Sequence, residues 1–438
     1  MEFPIWDHAD VCVVGGSATG VFAAVRAARM GAKVILLEQQ NVLGGTATAG
    51  MVNIWHTLND VDQKEQIIFG LTDEVERRLE AQGALERRDT PDIGCRFNSA
   101  RLSCLLDDLV AGCGIRVYLR TTFVWAQTEG DEIKEIIITN KDGVGRIRAG
   151  FFIDATGDGD VADRIGLESY CHAHLQPPSA CFLMQGMTDG VDIGKLIHEH
   201  GAEFGLDDDW GWSGTVPGLN GISFRADNHV FGVNCAKAGD LTRAEIRGRQ
   251  QARAFVDLLR QYVDPSYEMV ALCSAIGIRD TRHIRTRFCA TEQDLLCGKT
   301  YPDTVMRGTY RVDIHHQTDN GITFKYLNGQ YETFYGKGSG AVRGNWREEM
   351  GLSGKYASCY SVPFSILVQE KYRNFIPVGR MLNADEGAFG ALRVMVNLNQ
   401  LGEAAGVAAA LCVGDGTDVR VLDGVAVRRC LEAQNERS

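Results

Sequence analysis

The sequence predicts an α/β fold in which a parallel sheet carries an added β-meander and is interrupted by an α+β insertion. Three observations predict it. VCVV (11–14) and KVILLE (33–38) are short apolar runs, the first rich in valine, as in strands buried on both faces. Between them lie a glycine-rich turn and a helical stretch from Ser17 to Met30, in which Ala23, Ala24, Ala27 and Ala28 form a small-residue face. Strand, helix and strand within about thirty residues make a βαβ unit, which requires parallel pairing.

After a loop at 39–60, helices are expected over about 72–82 and 99–111. Residues 115–153 divide into four strands, IRVYL, TTFVWAQ, EIKEIIIT and RIRAGFFID, with a turn at Lys141-Asp142-Gly143; these supply the meander. From about residue 166 the character changes. Gly, Trp and Asp cluster in GLDDDWGWSGTVPGLNG (205–221), a long helix is expected at about 242–263, and a second Gly-rich stretch lies at 336–344. An apolar segment returns at 362–368, FIPVG (375–379) reads as a strand, and an Ala- and Gly-rich helix runs from about Asn399 to Leu411. The expected plan is one domain built from residues 1–165 and 359–438, interrupted by a second at 166–358. A chain of 438 residues accords with two domains, because a single core rarely grows past about 250–300 residues.

Lysine and arginine total 45 against 57 acids, a formal charge of −12, which is a poor footprint for nucleic acid or an anionic membrane surface. No apolar run reaches the roughly 18 residues of a membrane span, and the N-terminus lacks the features of a secretory leader. The 13 cysteines are scattered, and none forms C-x-x-C, so dithiol, zinc-ribbon and iron–sulfur centres lack support. Reduced thiols in a cytoplasmic protein are the expectation.

The turn reads Gly15-Gly16-Ser17-Ala18-Thr19-Gly20. Against G-x-G-x-x-G, Gly15 and Gly20 fit, and Ser17 replaces the middle glycine. Gly15 permits the tight turn and Gly20 close packing of helix on sheet, so that a pyrophosphate can sit at the helix N-terminus. Ser17 is small, and its hydroxyl is a candidate donor to phosphate. Glu38, 23 residues after Gly15, ends the second strand where an acid hydrogen-bonds ribose hydroxyls, with Gln39 beside it. Together these elements describe a Rossmann-like dinucleotide-binding unit.

Four segments carry a wider resemblance: this turn, the Gly44-Gly45 doublet in NVLGGTATAG, IDATGDGD (153–160) and IPVGRMLNADEGAFGALRVMVNLNQLGEAAGVAAAL near the C-terminus. They resemble the FAD-dependent oxidoreductase family, a branch of the glutathione-reductase-like flavoproteins distantly related to fumarate-reductase-type enzymes. Gly277-Ile278-Arg279-Asp280-Thr281-Arg282 and Val312-Asp313-Ile314-His315 look like that family's substrate-domain motifs, so the resemblance covers nearly the whole chain. It implies that Gly15, Ser17, Ala18, Thr19 and Gly20 wrap the pyrophosphate and that Glu38 holds the ribose. Gly44, Gly45 and Thr46 would lie along the ribityl chain, and Val124 would meet adenine through its backbone. Ala155, Thr156, Gly157 and Asp158 would close the nucleotide site, and Gly379 and Arg380 would approach it. Asn399, Gln400 and Leu401 would open the last helix beneath the flavin, its positive end favouring negative charge there. No histidine precedes the Gly44-Gly45 doublet, so the FAD is expected to be non-covalent. The run Gly336-Lys337-Gly338-Ser339-Gly340 lacks a preceding apolar strand, so no built-in NAD(P)H domain is expected. The expected partners are a small-molecule substrate and an external electron donor or acceptor, with homo-oligomerisation left open.

Flavin carries the redox step, and the protein supplies orientation and proton handling. His315 is the leading acid–base candidate, because on a strand Asp313 and His315 share a face while His316 points away. The alternative is a structural, hydrogen-bonded histidine at the domain interface. His56 has a lesser claim. His172 and His174 alternate on a strand-like stretch with no evident third metal ligand, so no metal site is expected. Arg279, Arg282, Arg285 and Arg287 are the densest basic cluster, suited either to a carboxylate or phosphate or to interface salt bridges; Arg279 is the catalytic candidate among them. Trp210 and Trp212 mark either a lid or a packed surface loop. The expected function is FAD-dependent hydride transfer on a small molecule, as a dehydrogenase, oxidase or reductase. The alternatives are a flavin enzyme without net redox turnover and a non-catalytic flavin-bearing subunit of an electron-transfer complex.

Overall fold

A computed structural model describes residues 3–90, 93–209, 211–318, 320–335 and 340–435. Trp210 and the 336–339 part of the second Gly-rich run lie outside the described residues. The first βαβ unit is β1 (Ile5–Val14), α1 (Ala18–Arg29) and β2 (Val34–Leu37). β3 (Arg116–Tyr118) then pairs in parallel with β2. The meander follows as β4 (Thr122–Glu129), β5 (Glu132–Asn140) and β6 (Gly143–Asp154).

β6 joins the two parts of the sheet. Its first half pairs antiparallel with β5, while Arg146–Asp154 pairs in parallel with β1. The strand order is β3-β2-β1-β6-β5-β4, and β7 (Phe375–Pro377) adds in parallel to the end of β6. Long-range pairing therefore brings the C-terminal segment back to the N-terminal sheet. Alternate residues of β1 and β2 enter different cores: Val11, Val13, Val34 and Leu36 face one, and Cys12, Val14, Ile35 and Leu37 the other. Burial on both faces explains why these strands read as continuous apolar runs.

α2 (Met395–Asp415) packs along α1 on the first of these cores. Methyl groups at Gly402 and Gly406 would strike the Thr19 and Ala23 carbonyls, so small residues on both helices set the close approach. Beneath it Arg26 forms a buried ion pair with Glu403. The middle of the chain contributes two four-stranded antiparallel sheets. One has the order Trp212–Val216, Leu219–Ala226, Phe182–Gln185, Glu268–Leu272, and the helix Ala238–Tyr262 packs Phe255, Leu258 and Leu259 against it. The other runs Val312–His315, Ile322–Lys325, Gln330–Phe334, Ala341–Asn345. Among the described residues, no helix is long and apolar enough to cross a membrane.

Candidate active site

The turn between β1 and α1 is held from three sides. Gly15 has φ +106°, and a Cβ there would collide with the Ala155 backbone, so glycine is required. Gly20 does not line the site; a methyl on it would strike the Gly15 carbonyl, so its part is close packing. Ser17 caps α1: its Oγ accepts from the Gly20 N–H at 3.2 Å and donates to the Ala155 carbonyl at 3.4 Å. The hydroxyl expected to meet phosphate is thus engaged in the turn itself. The donors left for an anion are the first N–H groups of α1, which have no intrahelical acceptor. Buried Glu38 accepts from Gly16 N at 2.6 Å and Gln40 N at 2.7 Å, and burial raises its pKa.

A cavity of about 600 Å³ joins this turn to the middle of the chain. Gly15, Ser17, Ala18, Thr19, Glu38, Gln39, Gly44, Gly45, Thr46, Ala155, Thr156, Gly157, Asp158, Gly379, Arg380, Arg279 and His315 all line it. Asp158 is fixed by Arg380 Nη1 at 2.9 Å and by the Thr281 hydroxyl at 2.7 Å. Two expected contacts fall elsewhere. Val124 is 43% exposed and off the cavity wall, where Thr121, Thr122 and Phe123 stand instead. A register shift between Phe123 and Trp125 displaces it. Asn399, Gln400 and Leu401 also miss the wall, because α2 begins at Met395 and presents Val394, Met395 and Leu398. Asn399, expected at the start of this helix, instead donates its amide to the Thr72 hydroxyl across the core, and Asn397 donates to the Tyr360 hydroxyl.

The wall drawn from the middle of the chain carries a polar cluster. His315 Nε2 lies 3.3 Å from Asp313 Oδ1, and His316 turns away to Thr323. Asp313 also accepts from the Tyr310 hydroxyl at 2.6 Å and pairs with Arg393 at 3.3 Å. The His229 ring stands 4.8 Å from that of His315, with Nδ1 2.9 Å from Asp209 and Nε2 buried without a hydrogen-bond partner. Burial, Arg279, His229 and Arg393 hold His315 well below the ordinary imidazole pKa. Burial likewise lowers His229, against the opposing Asp209 charge. Both rings are therefore neutral at pH 7. Arg279 donates to the Pro177 carbonyl at 2.6 Å and the Ser179 hydroxyl at 2.7 Å; burial and then Arg393 lower its pKa to about 10, so it stays charged.

The basic cluster disperses. Arg282 bonds the Asp158 carbonyl, Arg285 lies over the Tyr170 ring, and Arg287 pairs with Glu370; only Arg279 reaches the cavity. His56 lines it too, its ring centroid 3.9 Å from that of Tyr310. Trp212 also lies on the wall. His174 is exposed, whereas His172 is drawn into a buried group with Asp280 and His283, whose candidate ligand atoms lie within 4.8 Å of one another. Both nitrogens of each ring already face an acceptor: Asp280 and the Ala384 carbonyl for His172, Asp280 and the Leu382 carbonyl for His283. Sequence reasoning missed Arg393, His229 and Asp209. Arg393 stands within the C-terminal resemblance and Asp209 within the Gly-, Trp- and Asp-rich run 205–221, while nothing around His229 marks it.

A left-handed glycine turn, a helix N-terminus and an acid ending the second strand define a dinucleotide-binding fold, and the 600 Å³ cavity they open has the size of a cofactor site. The chain belongs to the FAD dependent oxidoreductase family, whose model matches residues 10–431. FAD is its cofactor, and the glycine cradle and uncapped N–H groups fit the adenosine pyrophosphate. No curated protein matches the sequence. Among solved structures it is similar to a geranylgeranyl bacteriochlorophyll reductase-like protein from Thermoplasma acidophilum, at 13% identity and a TM-score of 0.48, over 98% of this chain and 85% of that one. It is also similar to p-nitrophenol 4-monooxygenase from Pseudomonas putida, at 11% identity and 0.47, over 100% of this chain and 87% of that one. The myxobacterial chondrochloren halogenase matches at 14% and 0.45, over 98% and 79%.

Proposed function

We propose that the protein oxidises or reduces a small molecule by hydride transfer involving N5 of a non-covalently bound FAD, with an external electron partner. Residues 1–165 and 359–438 would hold the cofactor, and residues 166–358 the substrate. The observation that carries this reading is one cavity lined both by the glycine turn and by the His315–Asp313–Arg279 group. FAD, when bound, supplies the hydride acceptor or donor. The chain's own residues manage the proton. His315 Nε2 lies 3.3 Å from Asp313 Oδ1, so the tautomer with its proton on Nε2 would face the carboxylate and leave Nδ1 with the lone pair. That neutral ring can accept a proton from a hydroxyl or amine, and Asp313 then faces the imidazolium. The positive end of α2, beside Met395, favours negative charge at the same wall.

The test begins with an anaerobic screen of hydroxy acids, sugars, amines and enoates for loss of the visible flavin absorption. With a reducing substrate found, His315→Asn is expected to keep FAD and to slow flavin reduction about 10²–10⁴-fold per bound flavin. A rate within about fivefold of wild type, at equal FAD content, removes His315 from the proton step.

A further inference from the structure

We propose that the substrate carries a carboxylate that docks on the open edge of the Arg279 guanidinium; this rests on the reading that the His315 wall is the substrate end of the cavity. The first observation is a charge without a partner. Among the described residues, Arg279 makes no ion pair: Nη1 donates to a carbonyl and a hydroxyl, both neutral, and Nε and Nη2 have no hydrogen-bond partner. The Nε–Nη2 edge is the planar fork that takes a carboxylate through two parallel hydrogen bonds.

The neighbouring carboxylates are committed elsewhere. Asp313 Oδ2 takes the Tyr310 hydroxyl at 2.6 Å and Arg393 at 3.3 Å, its Oδ1 lies 3.3 Å from His315 Nε2 without a hydrogen bond, and Asp209 faces His229 Nδ1 at 2.9 Å. At the His315 end of the wall Arg279 and Arg393 stand beside Asp313, whose Oδ2 is taken by Tyr310 and Arg393. A partly buried cation left in this state carries a desolvation cost that a ligand anion would offset. The second observation is independent. His229 is 5% exposed, and its Nε2 is buried, unpartnered and on the same cavity wall. Because Nδ1 holds its proton towards Asp209, Nε2 is an acceptor, suited to an O–H or N–H on the same small molecule. A carboxylate on Arg279 and a hydrogen donor for a neutral imidazole together describe a small hydroxy or amino acid.

The experiment is equilibrium titration of the FAD-loaded enzyme, followed by perturbation of the flavin spectrum. The probes are lactate, succinate, alanine and benzoate, each with its neutral amide, and inorganic phosphate. At least one carboxylate is expected to bind saturably, with its amide about tenfold weaker or worse, and Arg279→Gln should weaken the carboxylate by about tenfold or more at unchanged FAD content. Arg279→Lys should retain part of the affinity. Amides that bind as well as acids, no binding by any carboxylate, phosphate alone binding, or an Arg279→Gln enzyme that binds acids as tightly as wild type would each overturn the proposal. The acid–amide comparison on wild type decides the matter if the variants fail to fold. Carboxylate binding without flavin reduction would count against hydride transfer alone, and reduction by a neutral substrate indifferent to Arg279 would count against the carboxylate alone.

Discussion

His315 and His229 sit neutral in the cavity wall, while His172 is pulled the other way, and the difference has a measurable consequence. An unfolded histidine titrates near about 6.5. For His315 and His229 the folded value is lower, so below that pH the unfolded chain binds more protons and stability falls as pH drops. For His172, burial opposes the charge, but Asp280 and the Ala384 carbonyl outweigh it and raise the pKa. His172 and His283 in turn overcome the effect of burial on Asp280 and hold it at about 2. The His172 contribution is therefore complete below about 6.5 and is lost as pH rises through the folded value. His172→Asn should then cost more stability at about pH 6 than at about pH 9, read from urea midpoints at each pH. An equal loss at both values would mean that His172 is neutral in the folded protein. The placement of Asp313 and His315 on one strand face was legible from alternation, but the Asp280 group was not, because His172 reaches Asp280 and His283 from more than a hundred residues away.

At the scale of elements, the β1–turn–α1 unit is shaped by Glu38 as much as by its glycines. The carboxylate receives the Gly16 and Gln40 N–H groups, so it fixes the turn while lining the cavity. Glu38→Ala is expected to weaken FAD binding by about 1.5–3 kcal/mol, the range for hydrogen bonds to a charged group. Retention of FAD through dialysis equal to wild type would show that neither the turn nor the ribose depends on it. Local pattern located this unit, the meander and the long helix Ala238–Tyr262 to within a few residues. It failed at two boundaries. A register shift falls at Val124, and α2 starts at Met395, ahead of the expected Asn399.

Across the whole molecule, the buried pair of Arg26 and Glu403 ties α1 to α2 at 2.5 Å. Glu403 also accepts from the Leu71 N–H at the start of the helix Leu71–Ala81, and Arg26 reaches Asn435 at 2.6 Å. Burial raises the Glu403 pKa, and Arg26 opposes that rise. Glu403→Ala leaves a buried guanidinium without its anion and removes the acceptor that α1 and the helix Leu71–Ala81 share. A loss of about 3–5 kcal/mol in unfolding free energy is expected by urea denaturation, with FAD partly restoring the midpoint through binding to the folded state. A loss below about 1 kcal/mol would mean that water enters and solvates Arg26.

By itself the sequence determined the βαβ unit and its glycine turn, because these depend on contacts within a few turns of chain, while the cofactor class came from the resemblance carried by four separate segments. Glycine at a left-handed turn, apolar strands and an acid after the second strand leave a local signature wherever they occur. Only the tertiary structure decided which arginine of four enters the cavity, that Arg393 and His229 join His315 there, and that His172 belongs with Asp280 and His283. Those juxtapositions are made by β7 returning to β6 and by sheets built from the middle of the chain. Pairing between distant segments is set by how apolar faces are buried together, and no periodicity along one segment records it.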